Sequence, residues 1–411
     1  MEIRGNTPKI GGRPVQAAEQ SEEPEEFSLV LGGPVFQLFR RSFLSGDHLE
    51  LLYRRIIAIL LIAWLPMLVL SLLEGRAWGT SVEVPFLRDI DVNARFLVAL
   101  PLFILAEVVV YQRMRPIVGQ FLQRGLIPDA ARAEFDAALA SAKRWRNSLL
   151  AELLLITAVL LVEGRFVRLV LGASTVDSWF GDVTSTGLRL TAAGWWFRCV
   201  SLPLFQFILL RWYYRLFVWA RFLWQVARID GLALLPTHPD RAGGLGFLSG
   251  TVFAFSPLLL GQGALFAGTI ARRILFEGAK LPDFKVAIIG VVALALFIVV
   301  GPLLMFSVRL ERAKRAGVRE YGALAARYMR EFDQKWVRGS SAREELLGSS
   351  DIQSMADIGN SFAVVREMRL IPVTLSTVVQ LAGITLAPVA PLALTMMPPE
   401  EFLDQILKFL F

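Results

Sequence analysis

The sequence predicts an all-α fold: a polytopic transmembrane helix bundle of about seven crossings, with amphipathic helices on its cytoplasmic face. Three observations predict it. Seven runs, at residues 56–73, 96–111, 149–171, 195–212, 251–270, 286–308 and 371–397, are apolar and long enough to cross a bilayer. The chain of 411 residues is 55% hydrophobic, with a mean hydropathy of +0.53. Its 43 Lys and Arg gather beside the apolar runs; sorted to alternate sides, 31 fall with the N-terminus and the 2–3, 4–5 and 6–7 loops, and 12 with the rest. A crossing takes roughly 20 apolar residues for about 30 Å of hydrocarbon, and lipid requires the backbone to pair within the segment. The short alternating strands of a membrane barrel do not appear. The positive-inside rule places the N-terminus in the cytoplasm and the C-terminus outside, as a multi-pass membrane protein.

Residues 1–26 are polar, carry the acidic run Glu22, Glu23, Glu25 and Glu26, and have no apolar core of a cleavable signal. A disordered tail is expected there. Residues 27–55 are interrupted by Gly32, Gly33 and Pro34 and carry Arg40 and Arg41, which predicts an interfacial amphipathic segment. Crossings one to six occupy 56–308, with cytoplasmic loops at 112–148 and 213–250 and helices expected between Val118 and Arg146. Crossing four is short between Arg198 and Arg211; snorkelling of both toward headgroups, with Trp195, Trp196, Trp212, Tyr213 and Tyr214 as aromatic belts, makes up the length. Its helical pattern continues to Arg228, skimming the headgroups or packing on a neighbour. In the cytoplasmic region 309–370, Tyr321, Leu324, Tyr328, Phe332 and Trp336 mark one apolar stripe of an amphipathic helix broken by Gly339, Ser340 and Ser341. A second helix is expected from Asp351 to Arg369, stopped by Pro372. Crossing seven and a C-terminal tail at 398–411 complete the chain.

The net charge of +7 sits beside membrane segments, so anionic membrane lipids are the expected partners, with a cytoplasmic protein partner and self-association as further ones, and no nucleic acid. The single Cys199 excludes an intrachain disulfide, and two histidines without helical pairing give no metal site. No cofactor, nucleophile elbow or internal repeat is indicated.

Chemistry concentrates in two places. The loop from Leu235 to Gly246 gathers His238, Asp240, Arg241, Gly243 and Gly244. Glycine N–H groups and an arginine fork suit a phosphate or carboxylate, and His238 oriented by Asp240 suits a general base. The competing reading is a shaped turn capped by Asp240. Within the crossings, Glu107 and Glu152 lie at cytoplasmic depth near Arg113, Arg146, Arg211 and Arg215, either as a proton or cation site or as ion pairs that fix packing. Glu163, Arg165 and Arg168 form a similar group at the outer end of crossing three. Pro257, the Gly261-Gln262-Gly263 run, Gly301-Pro302 and the Thr374 to Pro391 stretch mark kinked or closely packed helices, with Gln262 and Gln380 as the pore-facing choices if the chain transports.

The phrases PTHPDRAGGLGFL (Pro236 to Leu248) and SSDIQSMADIGNSFAVVREMR (Ser349 to Arg369) resemble segments of an uncharacterised group of bacterial multi-pass membrane proteins. The resemblance carries no activity; it implies a place in the bacterial inner membrane, with the C-terminus on the periplasmic side, and that both segments belong to one architecture and meet. The function expected is a membrane-embedded binding, sensing or assembly component with a cytoplasmic site. The alternatives are a solute transporter or channel using Glu107, Glu152, Gln262 and Gln380, and an interfacial enzyme on a lipid-linked or phosphorylated substrate with His238 as base and Arg241 as anion clamp.

Overall fold

A computed structural model describes residues 29, 52–173, 177–185, 187–339 and 348–396. The acidic tail, nearly all of the 27–55 segment, Ser340, Ser341 and the C-terminal tail lie outside the described residues, as do the side chains of Glu163, Arg165 and Arg168.

The described chain is helical almost throughout. In order it forms α1 (Leu52–Leu73), α2 (Ile90–Gln123), α3 (Asp129–Arg146) and α4 (Leu149–Ala173), then the strands β1 (Gly181–Thr184) and β2 (Gly187–Leu190). These are followed by α5 (Ala192–Arg228), α6 (Leu245–Glu277), α7 (Leu281–Val337), α8 (Ser350–Arg366), α9 (Leu375–Leu386) and α10 (Ala390–Met396). By length and composition α1, α2, α5, α6 and α7 each suffice to cross a membrane. Two bent pairs, α3 with the first part of α4 at 44° and α9 with α10 at 59°, bring the number to seven when each pair is counted as one span.

The outward faces explain why this bundle belongs in lipid. Leu150 on α4 is 69% exposed, and Val286 and Phe297 on α7 are 82% and 68% exposed. A water-facing surface does not carry apolar area on that scale, whereas acyl chains accept it. The interior is filled by α2, which packs on α6 and α5. Close approach there requires glycine: a Cβ on Gly261 would lie 2.5 Å from the Phe103 ring, and one on Gly263 would lie 2.0 Å from the Thr385 carbonyl oxygen of α9. The glycine run of crossing five thus serves tight packing of α6 between α2 and α9.

Several boundaries depart from the sequence expectation. Crossing two extends from 96–111 to Ile90–Gln123, because Asp89 caps its start through the Val92 N–H at 3.4 Å and its far end stays helical beyond the apolar run. Crossing seven starts at Leu375, not at 371, since Met368 and Arg369 are drawn out of helical geometry to pair elsewhere and Thr374 caps the new start. Arg369 therefore lies outside α8. Crossing six and the striped helix after it are one run, α7, tightened to 3₁₀ geometry at Gly301–Phe306. Within the stripe Tyr321, Tyr328, Phe332 and Trp336 are half-buried, but Leu324 is 52% exposed: α8 covers a narrower face than the pattern implied.

The antiparallel β1–β2 hairpin was not anticipated. It caps the end of the bundle where α1 finishes and α2 and α5 begin. Arg76 clasps Asp182 at 2.6 and 2.9 Å, and the buried Trp179 donates its indole N–H to Asp89 at 2.9 Å. The opposite end carries α3, the Leu235–Gly246 loop and the α7–α8 helical pair.

Candidate functional site

The glycine-rich loop is organised by its own aspartate. Oδ1 of Asp240 accepts the N–H groups of Ala242 at 2.7 Å and Gly244 at 3.2 Å, and Oδ2 accepts that of Gly246 at 2.7 Å. Gly243 and Gly244 have φ of +65° and +96°, which side chains rarely adopt, and a Cβ on Gly246 would meet the Asp240 carboxylate at 2.8 Å. The amide cradle that suits a bound anion is therefore filled by a carboxylate six residues upstream of its last donor. Burial alone would raise the Asp240 pKa. The three amides and the nearby His238 overcome that and hold the carboxyl below its ordinary value.

His238 Nδ1 lies 2.9 Å from Asp240 Oδ1 and 3.2 Å from the Asp240 backbone N–H. It donates to the first when protonated and accepts from the second when not. Asp240 thus serves the loop first and the imidazole second. Arg241 takes a left-handed φ of +53° and pairs with Glu367 at 2.7 Å.

This loop and the end of α8 are stitched together. Arg369 donates its backbone N–H to the Arg241 carbonyl at 2.7 Å and its guanidinium to the Asp240 carbonyl at 2.6 Å, while Lys314 of α7 donates to the Met368 carbonyl at 2.8 Å. Underneath, Ala242, Leu245, Leu310, Val365 and Met368 are all buried to 1% exposure or less. A Cβ on Gly317 of α7 would meet Pro236 at 2.6 Å and Val365 at 3.0 Å, so the loop, α7 and α8 converge at that glycine. The two phrases singled out in the sequence meet here. Left accessible are Arg241, Glu367 and the half-buried Thr237 and His238.

Within the bundle, Glu107 of α2 is gripped from two sides. Arg55 of α1 donates to Oε2 at 2.5 Å and Arg215 of α5 to Oε1 at 2.7 Å, and all three side chains are buried. Charge-assisted bonds of this kind satisfy a carboxylate that lipid would otherwise expel. Glu152 and Arg211 are also buried and, with Arg146, Tyr214 and Arg215, line a narrow recess between α4 and α5. Its free volume of about 20 Å³ is room for one or two waters and not for a solute. Arg211 points inward and does not snorkel, whereas Arg198 stacks on Trp195 at 5.3 Å. Arg113 faces outward, so the expected grouping loses it and gains Arg55. Arg55 precedes the apolar run in sequence, and only the packing of α1 on α2 reveals its role.

Gln262 donates to the Tyr213 hydroxyl at 2.8 Å, half-buried between α6 and α5. Gln380 is exposed on the outside of α9, so the structure does not align it with Gln262 or the carboxylates. The chain matches no protein-family model, no curated protein and no solved structure.

Proposed function

We propose that the chain is a membrane-embedded binding or assembly component, oriented with its N-terminus and the α7–α8 pair in the cytoplasm of a bacterial cell. Its working surface in this reading is the junction where the Pro236–Leu248 loop meets the end of α8. The observation that carries it is the stitching of Arg369 to Asp240 and Arg241: two hydrogen bonds, one from its backbone and one from its guanidinium, hold an exposed polar loop in one conformation. A preorganised polar surface binds without paying for loop ordering. Transport is less well supported. Glu107 is locked between two arginines, Gln380 faces outward and the recess admits only water. An enzymatic reading requires Asp240 to orient His238; Asp240 does lie 2.9 Å from the imidazole, but its two oxygens also hold three loop amides.

Photocrosslinking side chains placed at Thr237 and at the exposed Arg366 test the proposal in cells, with Val286 on the lipid face as control. Discrete protein or ligand adducts from the two junction positions and not from Val286 are expected. Identical lipid-only patterns from all three sites would sink the reading.

A further inference from the structure

The outer face of α9 carries a polar group that lipid does not satisfy. Gln380 is exposed beside Val379 and Leu375, which are 61% and 80% exposed, and among the described residues its carboxamide makes no hydrogen bond. Its depth follows from the packing of α9 on α6. The Thr385 carbonyl approaches Gly263, near the middle of the apolar run 251–270. At 1.5 Å per residue, Gln380 lies about 7.5 Å from that level, roughly halfway from the centre to the edge of a hydrocarbon core about 30 Å thick. A glutamine lacks the long stem by which Lys and Arg snorkel to the headgroups, and acyl chains offer it neither donor nor acceptor.

The helix around Gln380 is shaped for close approach. Ser376, Gln380 and Gly383 of α9 and its C-cap Ala387 are all exposed, and their spacing of four, three and four residues puts them on one face. A Cβ on Gly383 would meet nothing within 4 Å, whereas one on Gly263 would strike the Thr385 carbonyl oxygen at 2.0 Å. Packing inside the chain explains Gly263. It does not explain Gly383, and a glycine within a helix costs stability that alanine would not. Small residues beside a hydrogen-bonding side chain are what brings membrane helices together, because lipid supplies no hydrophobic force to join them.

We propose that this face of α9 is the contact between two copies of the chain, in which each Gln380 donates its amide N–H to the carbonyl oxygen of its counterpart across a two-fold axis normal to the membrane. A carboxamide carries donor and acceptor together, so it is complementary to itself. Copies inserted in one orientation hold this side chain at one depth, as an isologous interface requires; an unrelated helix would have to match it with a polar group of its own. Gly383, the next small residue along the face, lets the two backbones approach. The contact is separate from the loop junction and stands whether or not that junction has a partner.

The test uses the full chain, labelled at its amino terminus with donor or acceptor dyes and reconstituted in liposomes over a series of protein-to-lipid ratios, with energy transfer reporting association. Dimerisation that rises with protein density is expected. Gln380→Leu, an apolar substitution at an exposed position, should weaken it about tenfold while leaving thermal stability unchanged, and Gly383→Leu should weaken it by keeping the backbones apart. In a Cys199→Ser background, Ser376→Cys and Ala387→Cys should each crosslink two chains on oxidation, and Phe297→Cys on the outer face of α7 should not. A chain that is monomeric at every ratio, or unchanged association in Gln380→Leu, overturns the contact. Crosslinking at Phe297→Cys alone overturns the choice of face. A different membrane protein found bound by native mass spectrometry and released by Gln380→Leu, with no energy transfer between copies, overturns the second copy as the occupant. Should Gly383→Leu not fold, Gln380→Leu and the cysteine variants decide.

Discussion

Glu107 and Asp240 are both carboxylates withdrawn from water, yet the chain answers them in opposite ways. Glu107 takes its partners from side chains 52 and 108 residues distant, on two other membrane helices. Asp240 takes its own from backbone amides two, four and six residues ahead. The first arrangement exists only once α1, α2 and α5 have packed, so it reports on the whole bundle. The second closes within one loop and fixes a shape that α8 then grips. Long-range side-chain pairing suits a medium without water, where an unmatched charge is penalised heavily; backbone amides suit an interface, where a small loop must hold its form beside solvent.

The largest effect follows from breaking the first arrangement. Glu107→Gln leaves Arg55 and Arg215 facing a neutral amide in the bundle interior, and stability is expected to fall by about 3–5 kcal/mol. Thermal denaturation of the detergent-solubilised protein measures it. A loss under about 1 kcal/mol would mean that the ion pairs are incidental to packing.

An intermediate, local effect is expected at Asp240. Asp240→Asn removes one of the two accepting oxygens and sets amide hydrogens against backbone N–H groups, at a cost of about 2 kcal/mol confined to the loop. The pH dependence has a defined sign. The folded carboxyl titrates below its ordinary value of 3.8, so its contribution is fully present above that pH and is lost as pH falls through the lower, folded value. A fluorophore on Thr237→Cys, in a Cys199→Ser background, should therefore report an open loop only below about pH 4. Opening well above that pH would mean that the Asp240 carboxylate does not hold the loop closed.

What the sequence revealed divides along the same line. Apolar runs announce crossings because lipid demands them of each segment independently, and so the helical bundle was legible. The hairpin was not: Gly181–Thr184 and Gly187–Leu190 are only four residues each, too short for alternation to stand out. The grip on Glu107 was hidden because partner choice across helices depends on rotation and tilt. Arg211 read as a snorkelling residue, since its place beside Trp212, Tyr213 and Tyr214 matches an aromatic belt, and only packing turns it inward. The anion of the glycine loop was visible in principle. An aspartate followed by small or glycine residues at the second, fourth and sixth positions is the spacing its side chain needs to reach successive amides.

The smallest expected effect concerns Arg241 and is the most informative about function. Its pair with Glu367 is more than half exposed on both sides and contributes about 0–1 kcal/mol. Its left-handed backbone costs roughly 1–2 kcal/mol that glycine would not incur. Arg241→Gly loses the pair and relieves the strain, so its stability should lie within about 1 kcal/mol of the parent. Arg241→Ala loses the pair, keeps the strain and should be the weaker variant. An arginine held in a conformation better suited to glycine, at no gain in stability, accords with the proposed role of the junction as a binding surface. Loss of the Thr237 crosslink in a fully stable Arg241→Gly protein would make that contact specific. A stability loss above about 2 kcal/mol would make Arg241 part of the scaffold, alongside Asp240 and Arg369, and leave the half-buried His238 and Thr237 as the groups through which the junction could act.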